Sequence, residues 1–135
     1  MKEPKLLRIL DANFNRTMEG LRVSEDIARF ILDDASLTKT LKEIRHEVLA
    51  ATRTFKLSNL RIARDIEGDV GMTSIRSEFK RKKINDIFFA NIQRAKESIR
   101  VLEEFGKLSA PSVAARFKAL RYKLYALEKK AALRF

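Results

Sequence analysis

The sequence predicts an all-α protein: two pseudo-twofold-related helical hairpins forming a four-helix bundle-like domain with a long central loop. Three observations lead there. Apolar residues recur at spacings of three and four rather than two, only four glycines and two prolines punctuate the 135 residues, and a stretch beginning at Ala12 returns at Ala90.

The spacing predicts a first helix from about Lys5 to Asp33, with Leu7, Leu10, Phe14, Leu21, Ala28 and Ile31 on one stripe. A second helix should start at Ser36, a residue type that caps helix N-termini, and carry Leu37, Leu41, Ile44, Val48, Ala51 and Phe55. These form a hairpin over residues 5–56. Over 57–83 the helical period fails, and Gly68 and Gly71 among Asp65, Asp69 and Ser74 read as a loop longer than ordinary connections, of the kind that carries function when it is not a plain linker. A third helix should run from Ile84 to Leu108 and a fourth from Pro111, favoured in the first turn, to Leu133, closing the second hairpin over 84–134. The whole is one domain over 1–135.

The second half repeats the first. Residues 12–25 align with 90–103 with seven identities in fourteen positions, at an offset of 78; chance at average composition gives about one. Lys42-Glu43-Ile44-Arg45 lies against Lys118-Ala119-Leu120-Arg121 at an offset of 76, a two-residue change in the hairpin turn.

Composition narrows the function classes. The chain is 45% hydrophobic and 35% charged, as in a globular protein with a heavily charged surface. It has no cysteine and one histidine, His46, so thiolate and imidazole-rich metal sites are excluded. His46 falls opposite the apolar stripe of its helix and reads as solvated. Charges interrupt every apolar run, so no membrane span is expected and the cytoplasm is the default location. Twenty-nine basic residues against 18 acidic ones, net +11, favour a polyanionic or phosphorylated partner. Basic and acidic residues alternate along the helices, and only Lys80-Arg81-Lys82-Lys83 forms a basic run, which makes nucleic acid the weaker choice.

Some residues break the apolar pattern. Asn13 and Asn91 fall within the stripes of the first and third helices and should be buried, bonded to each other or to backbone across the pseudo-twofold axis. Arg16 and Arg94 follow one turn later, and Arg45 and Arg121 flank the stripes of their own helices, so four guanidinium groups could converge on an oxyanion. Glu19 and Glu97 could instead neutralise them in interhelical ion pairs. In the loop, Asp65 and Asp69 suit Mg²⁺, which takes one or two carboxylates plus substrate phosphates, or equally an ordinary turn. Gly68 and Gly71 would permit unusual backbone angles or close approach to a ligand. No phosphate-binding loop of the Walker type and no dinucleotide fingerprint is present.

The strings Leu10-Asp11-Ala12-Asn13-x-x-Arg16-x-x-Glu19-Gly20-Leu21-Arg22-Val23-x-Glu25-Asp26, Ala63-Arg64-Asp65-x-x-Gly68-Asp69-x-Gly71, Arg100-Val101-Leu102-Glu103-Glu104-Phe105-Gly106-Lys107 and Arg121-Tyr122-x-x-Tyr125-x-Leu127-Glu128 resemble the helical domain found ahead of the thiamine-phosphate synthase barrel in cyanobacteria and other bacteria. Met72 departs from the threonine expected after Gly71. The resemblance implies an alternative hydroxymethylpyrimidine phosphate kinase that would supply the diphosphate to the synthase. Its ligands would be a phosphorylated pyrimidine and ATP with Mg²⁺. Arg16, Arg45, Arg94 and Arg121 would hold phosphates, and Asn13 and Asn91 would orient the pyrimidine or the arginines. Asp65 and Asp69 would position Mg²⁺ or the attacking phosphate, and Arg64 would offset transition-state charge. The competing class is a companion that binds a thiamine intermediate or docks on thiamine-phosphate synthase without turnover, and a homo-oligomer is left open.

Overall fold

A computed structural model describes residues 3–74 and 80–135 of the chain; positions 75–79 of the expected loop lie outside the described residues. Among the described residues five α-helices account for the architecture: α1 (Pro4–Phe30), α2 (Ala35–Thr52), α3 (Leu57–Ala63), α4 (Ile84–Gly106) and α5 (Pro111–Ala131), with 3₁₀ turns at Arg53–Phe55 and Ala132–Arg134.

Prolines open α1 and α5, where the missing N–H would have no helical acceptor and the fixed φ suits the first turn. The α1–α2 turn is made by two aspartates. Asp33 takes a left-handed φ of 50°, which reverses the chain, and Asp34 caps α2 by accepting the Leu37 N–H on its Oδ1 at 2.9 Å. The expected cap, Ser36, therefore sits inside the helix. The first helix also stops at Phe30 rather than Asp33, which leaves Ile31, expected on the apolar stripe, more than half exposed. At the start of α4, Asp86 accepts from the N–H groups of Lys82 and Lys83 at 3.0 and 2.9 Å.

The segment 57–83 is not loop throughout. The chain turns at Lys56, whose φ is 57°, and forms α3, which buries Leu60 and half-buries Leu57 against α1. Seven residues give too short a window for a helical period to show, and the neighbouring Ile62 points outward.

The helices form a ring of contacts: α1 on α2, α2 on α5, α5 on α4, and α4 back on α1 in the most extensive packing of the molecule. The core between them takes Leu10, Leu21 and Ala28 from α1, Leu41, Ile44 and Val48 from α2, Phe88, Ile92 and Ile99 from α4, and Phe117, Leu120 and Leu124 from α5. At the centre, Thr17 meets Ser98 through a hydroxyl pair 2.6 Å apart, while Gly20, three residues on, lies against Asn91 and Ala95. Contacts that step in opposite directions mean α1 and α4 cross antiparallel. Shifting by 78 exchanges the pair Thr17 and Ser98 with Ala95 and Gly20, so the axis relating the hairpins passes through this crossing. A Cβ on Gly20 would lie 2.8 Å from the Asn91 carbonyl oxygen, so the close approach of the two backbones requires glycine there.

Candidate functional site

On one side of the crossing, α1 and α4 leave a groove of about 480 Å³. Asn13, Arg16, Glu19 and Gly20 line it from α1, and their aligned counterparts Asn91, Arg94, Glu97 and Ser98 line it from α4. The duplicated residues thus face one another across a shared space.

Asn13 is buried and Asn91 half-buried. They do not bond to each other. Asn13 Nδ2 donates to the Ile9 carbonyl and Asn91 Nδ2 to the Ile87 carbonyl, both at 2.8 Å and both within their own helix. An asparagine inside a helix has the carbonyl four residues back within reach, and that local bond wins over one across the axis. Each amide is oriented the same way, with its Oδ1 left for other donors; Arg16 Nη1 approaches that of Asn13 at 3.4 Å.

Arg16 and Arg94 are exposed at the groove, and neither forms an ion pair with Glu19 or Glu97 among the described residues. Two guanidinium groups therefore converge, not four. Arg45 and Arg121 are drawn away by carboxylates that were not singled out in the sequence. Buried Glu25 accepts from Arg45 Nε at 3.1 Å and from Arg22 at 3.3 Å. Buried Glu103 accepts from Arg121 Nη2 at 3.1 Å and from Arg100 at 2.6 Å. The two clusters are copies related by the axis, and each ties the helices of its hairpin together. Arg121 also donates to the Tyr125 hydroxyl at 2.9 Å, and that bond, with Glu103, holds its pKa above the ordinary arginine value.

A second cleft, of about 720 Å³, opens beside α1 and shares Asn13, Arg16 and Glu19 with the first. Lys5, Arg8, Asp11 and Asn15 line it from α1; Arg64, Asp65, Ile66 and Asp69 close it from the segment after α3. Arg64 is not free to meet a ligand charge with its whole fork. Its Nε and Nη2 donate to Asp11 Oδ2 and Oδ1 at 2.7 and 2.8 Å, and this hydrogen-bonded pairing raises the arginine's pKa. Asp65 Oδ1 accepts the Gly68 N–H at 2.8 Å, and Asp69 Oδ1 accepts the Gly71 N–H at 2.9 Å. Both aspartates are turn formers, and both line the cleft. Neither Gly68 nor Gly71 has a left-handed φ. A Cβ at Gly68 would lie 2.3 Å from Asp65 Oδ2, so a side chain there would displace the Asp65 carboxylate from its turn.

Among the described residues no group of three or more histidine, cysteine or carboxylate side chains is placed to hold a metal alone. Basic and acidic side chains line this cleft in equal number, and Asp65 and Asp69 among them are a carboxylate pair of the kind that shares Mg²⁺ with phosphates. His46 is exposed on α2 and lines neither cleft. Asp11, like Glu25 and Glu103, is a residue that sequence reading missed. Its signal was the aligned position, where Phe89 stands, which marks a largely buried place on the helix carrying a carboxylate. Among the described residues no helix is long and apolar enough to cross a membrane.

Known proteins resemble this chain over most of its length. The ThiD2 family matches residues 8–130. A thiamine-phosphate synthase of Rhodopirellula baltica is 43% identical over 122 residues, covering 90% of this chain and 32% of that protein. The thiamine-phosphate synthase of Synechocystis is 42% identical over 124 residues, covering 91% and 35%, and that of Nostoc punctiforme is 43% identical over 122 residues, covering 90% and 34%. The chain thus spans about a third of the length of these relatives. No solved structure matches. With a match running from the first turns of α1 almost to the end of α5, through both hairpins and the segment between them, the chain belongs to the ThiD2 family.

Proposed function

We propose that the protein works in thiamine biosynthesis by transferring a phosphoryl group from ATP to hydroxymethylpyrimidine phosphate, giving the diphosphate. The observation that carries this reading is the groove on the axis, where Arg16 and Arg94 stand without carboxylate partners among the described residues beside two identically held asparagines. Guanidinium groups suit phosphate, and an amide whose Nδ2 is anchored presents its oxygen to the donor groups of a pyrimidine. Phosphoryl transfer asks mainly for positioning and charge stabilisation, which such a site offers without a covalent role for the protein. Mg²⁺ bound with the nucleotide would be held by Asp65 and Asp69 and would draw off charge from the phosphoryl oxygens.

A companion role is the second reading, favoured by relatives in which the matching region makes up a third of a thiamine-phosphate synthase. Incubating the protein with ATP, Mg²⁺ and hydroxymethylpyrimidine phosphate and following ³¹P resonances separates the two. Appearance of the pyrimidine diphosphate with matching ADP supports the kinase. Tight pyrimidine phosphate binding with no diphosphate formed leaves the companion.

A further inference from the structure

We infer that the two clefts are separate substrate compartments meeting at Arg16: the groove on the axis takes the pyrimidine monophosphate, and the cleft beside α1 takes the triphosphate of the nucleotide. This assignment rests on the phosphotransferase reading. The compartments are confluent, since Asn13, Arg16 and Glu19 line both. A ligand phosphate in each would therefore find its neighbour at that seam, with one guanidinium in reach of both.

Size and chemistry assign the occupants. The cleft beside α1 is the larger, and it brings Lys5 and Arg8 together with Asp65 and Asp69. Ammonium and guanidinium groups beside two carboxylates fit a polyphosphate with its divalent cation. The groove on the axis carries two asparagines, Ser98 and Arg94, a set suited to one small polar ring and one phosphate.

The duplication is broken at residues that build the nucleotide compartment. Shifted by 78, Arg8 becomes Asp86, which is spent on capping α4. Asp11, which anchors Arg64 and with it the wall of the cleft, becomes Phe89. Phe89 packs in an aromatic cluster with Phe88 and Phe135, ring centroids 5.3 and 5.5 Å away. No carboxylate stands there to recruit a wall. The axis groove is lined from both repeats, whereas Arg8 and Asp11 of the cleft beside it are not repeated on α4.

In the reaction an oxygen of the acceptor's monoester phosphate bonds to the γ-phosphorus. The bond from that phosphorus to the β,γ-bridging oxygen breaks, and its electron pair leaves with the nucleoside diphosphate. The second pKa of a phosphate monoester is about 6, so the attacking oxygen carries no proton near neutral pH and no side chain need accept one. Both clefts can therefore work without a histidine. Arg16 offsets the repulsion between the two anionic groups as they close.

Steady-state kinetics of the 135-residue chain tests the assignment. Arg94→Ala should raise KM for the pyrimidine phosphate about tenfold or more and leave KM for ATP nearly unchanged, Arg8→Ala should do the reverse, and Arg16→Ala should lower kcat, by the usual weight of a charged hydrogen bond. Arg16→Lys, which keeps charge but loses the fork, should recover only part of kcat. Calorimetry with a non-hydrolysable ATP analogue and with pyrimidine phosphate should show one of each bound per chain, without competition. If turnover occurs but Arg94→Ala and Arg8→Ala move both KM values together, or if the two ligands compete, the assignment fails while the kinase stands. If both ligands bind independently with no turnover, the compartments stand and the kinase reading fails. Binding of neither overturns both.

Discussion

Arg64 and Asp11 are joined by two parallel hydrogen bonds of 2.7 and 2.8 Å across 53 positions of sequence, and this pair fastens the segment after α3 to the first helix. Asp11 is buried, whereas Arg64 keeps about 40% of its side chain in solvent. Arg64→Ala should therefore lower stability, and by less than the loss of a partner from a fully buried pair would. Amide hydrogen exchange from Asp65 to Gly71 should accelerate more than exchange in α4. Unchanged protection there would show that the segment is held by something else.

The two buried glutamates should respond unequally to truncation. Glu25→Ala leaves Arg45, with only 13% of its side chain exposed, without a carboxylate, and a loss of about 3–5 kcal/mol is expected in urea unfolding. Glu103→Ala should lose less, because Arg121 keeps its bond to the Tyr125 hydroxyl. Equal losses would mean the tyrosine contributes nothing.

Gly20→Ala places a methyl group against the Asn91 carbonyl oxygen, a backbone atom that cannot swing aside. Overpacking of this kind costs about 1–3 kcal/mol. Gly71→Ala is the control, since its Cβ would find only Asp69 Oδ1, at 3.4 Å on a movable side chain. A drop in denaturation midpoint confined to Gly20→Ala is the expected result.

Acid should weaken the start of α4. The N–H groups of Lys83 and Lys82 hold the Asp86 carboxyl below the ordinary aspartate range. A carboxyl more acidic when folded than when unfolded stabilises the fold at pH above its unfolded value, and the gain is lost as the pH falls through the folded one. The stability difference between wild type and Asp86→Asn should thus be full near neutrality and shrink towards zero in that acidic range. A difference independent of pH would assign the effect to hydrogen bonding alone.

Both hairpins were legible in the sequence because their apolar spacing persists over many turns, and the axis was legible because Ala12 to Glu25 recurs at Ala90 to Glu103. The helical wheel also placed Asn13, Arg16, Asn91 and Arg94 on facing surfaces. It failed for Arg45 and Arg121 because an angle on a wheel does not say which neighbouring side chain arrives first. Glu25 and Glu103 arrive first, from the adjoining helix of the same hairpin. The asparagines were misassigned for a similar reason, a nearby carbonyl outcompeting a distant amide. Short α3 is held by Leu57 and Leu60 packing on α1, and the segment after it by the pairing of Arg64 with Asp11; both are tertiary contacts of which local periodicity carries no trace.

The hydroxyl contact of Thr17 with Ser98 has a consequence for partner choice. Under the pseudo-twofold relation, a first hairpin set against another first hairpin would bring Thr17 to a glycine, and two second hairpins would bring Ser98 to an alanine. Only the unlike combination forms the bond. A chain built from matching halves thus carries, at its very centre, one bond that favours the unlike pairing.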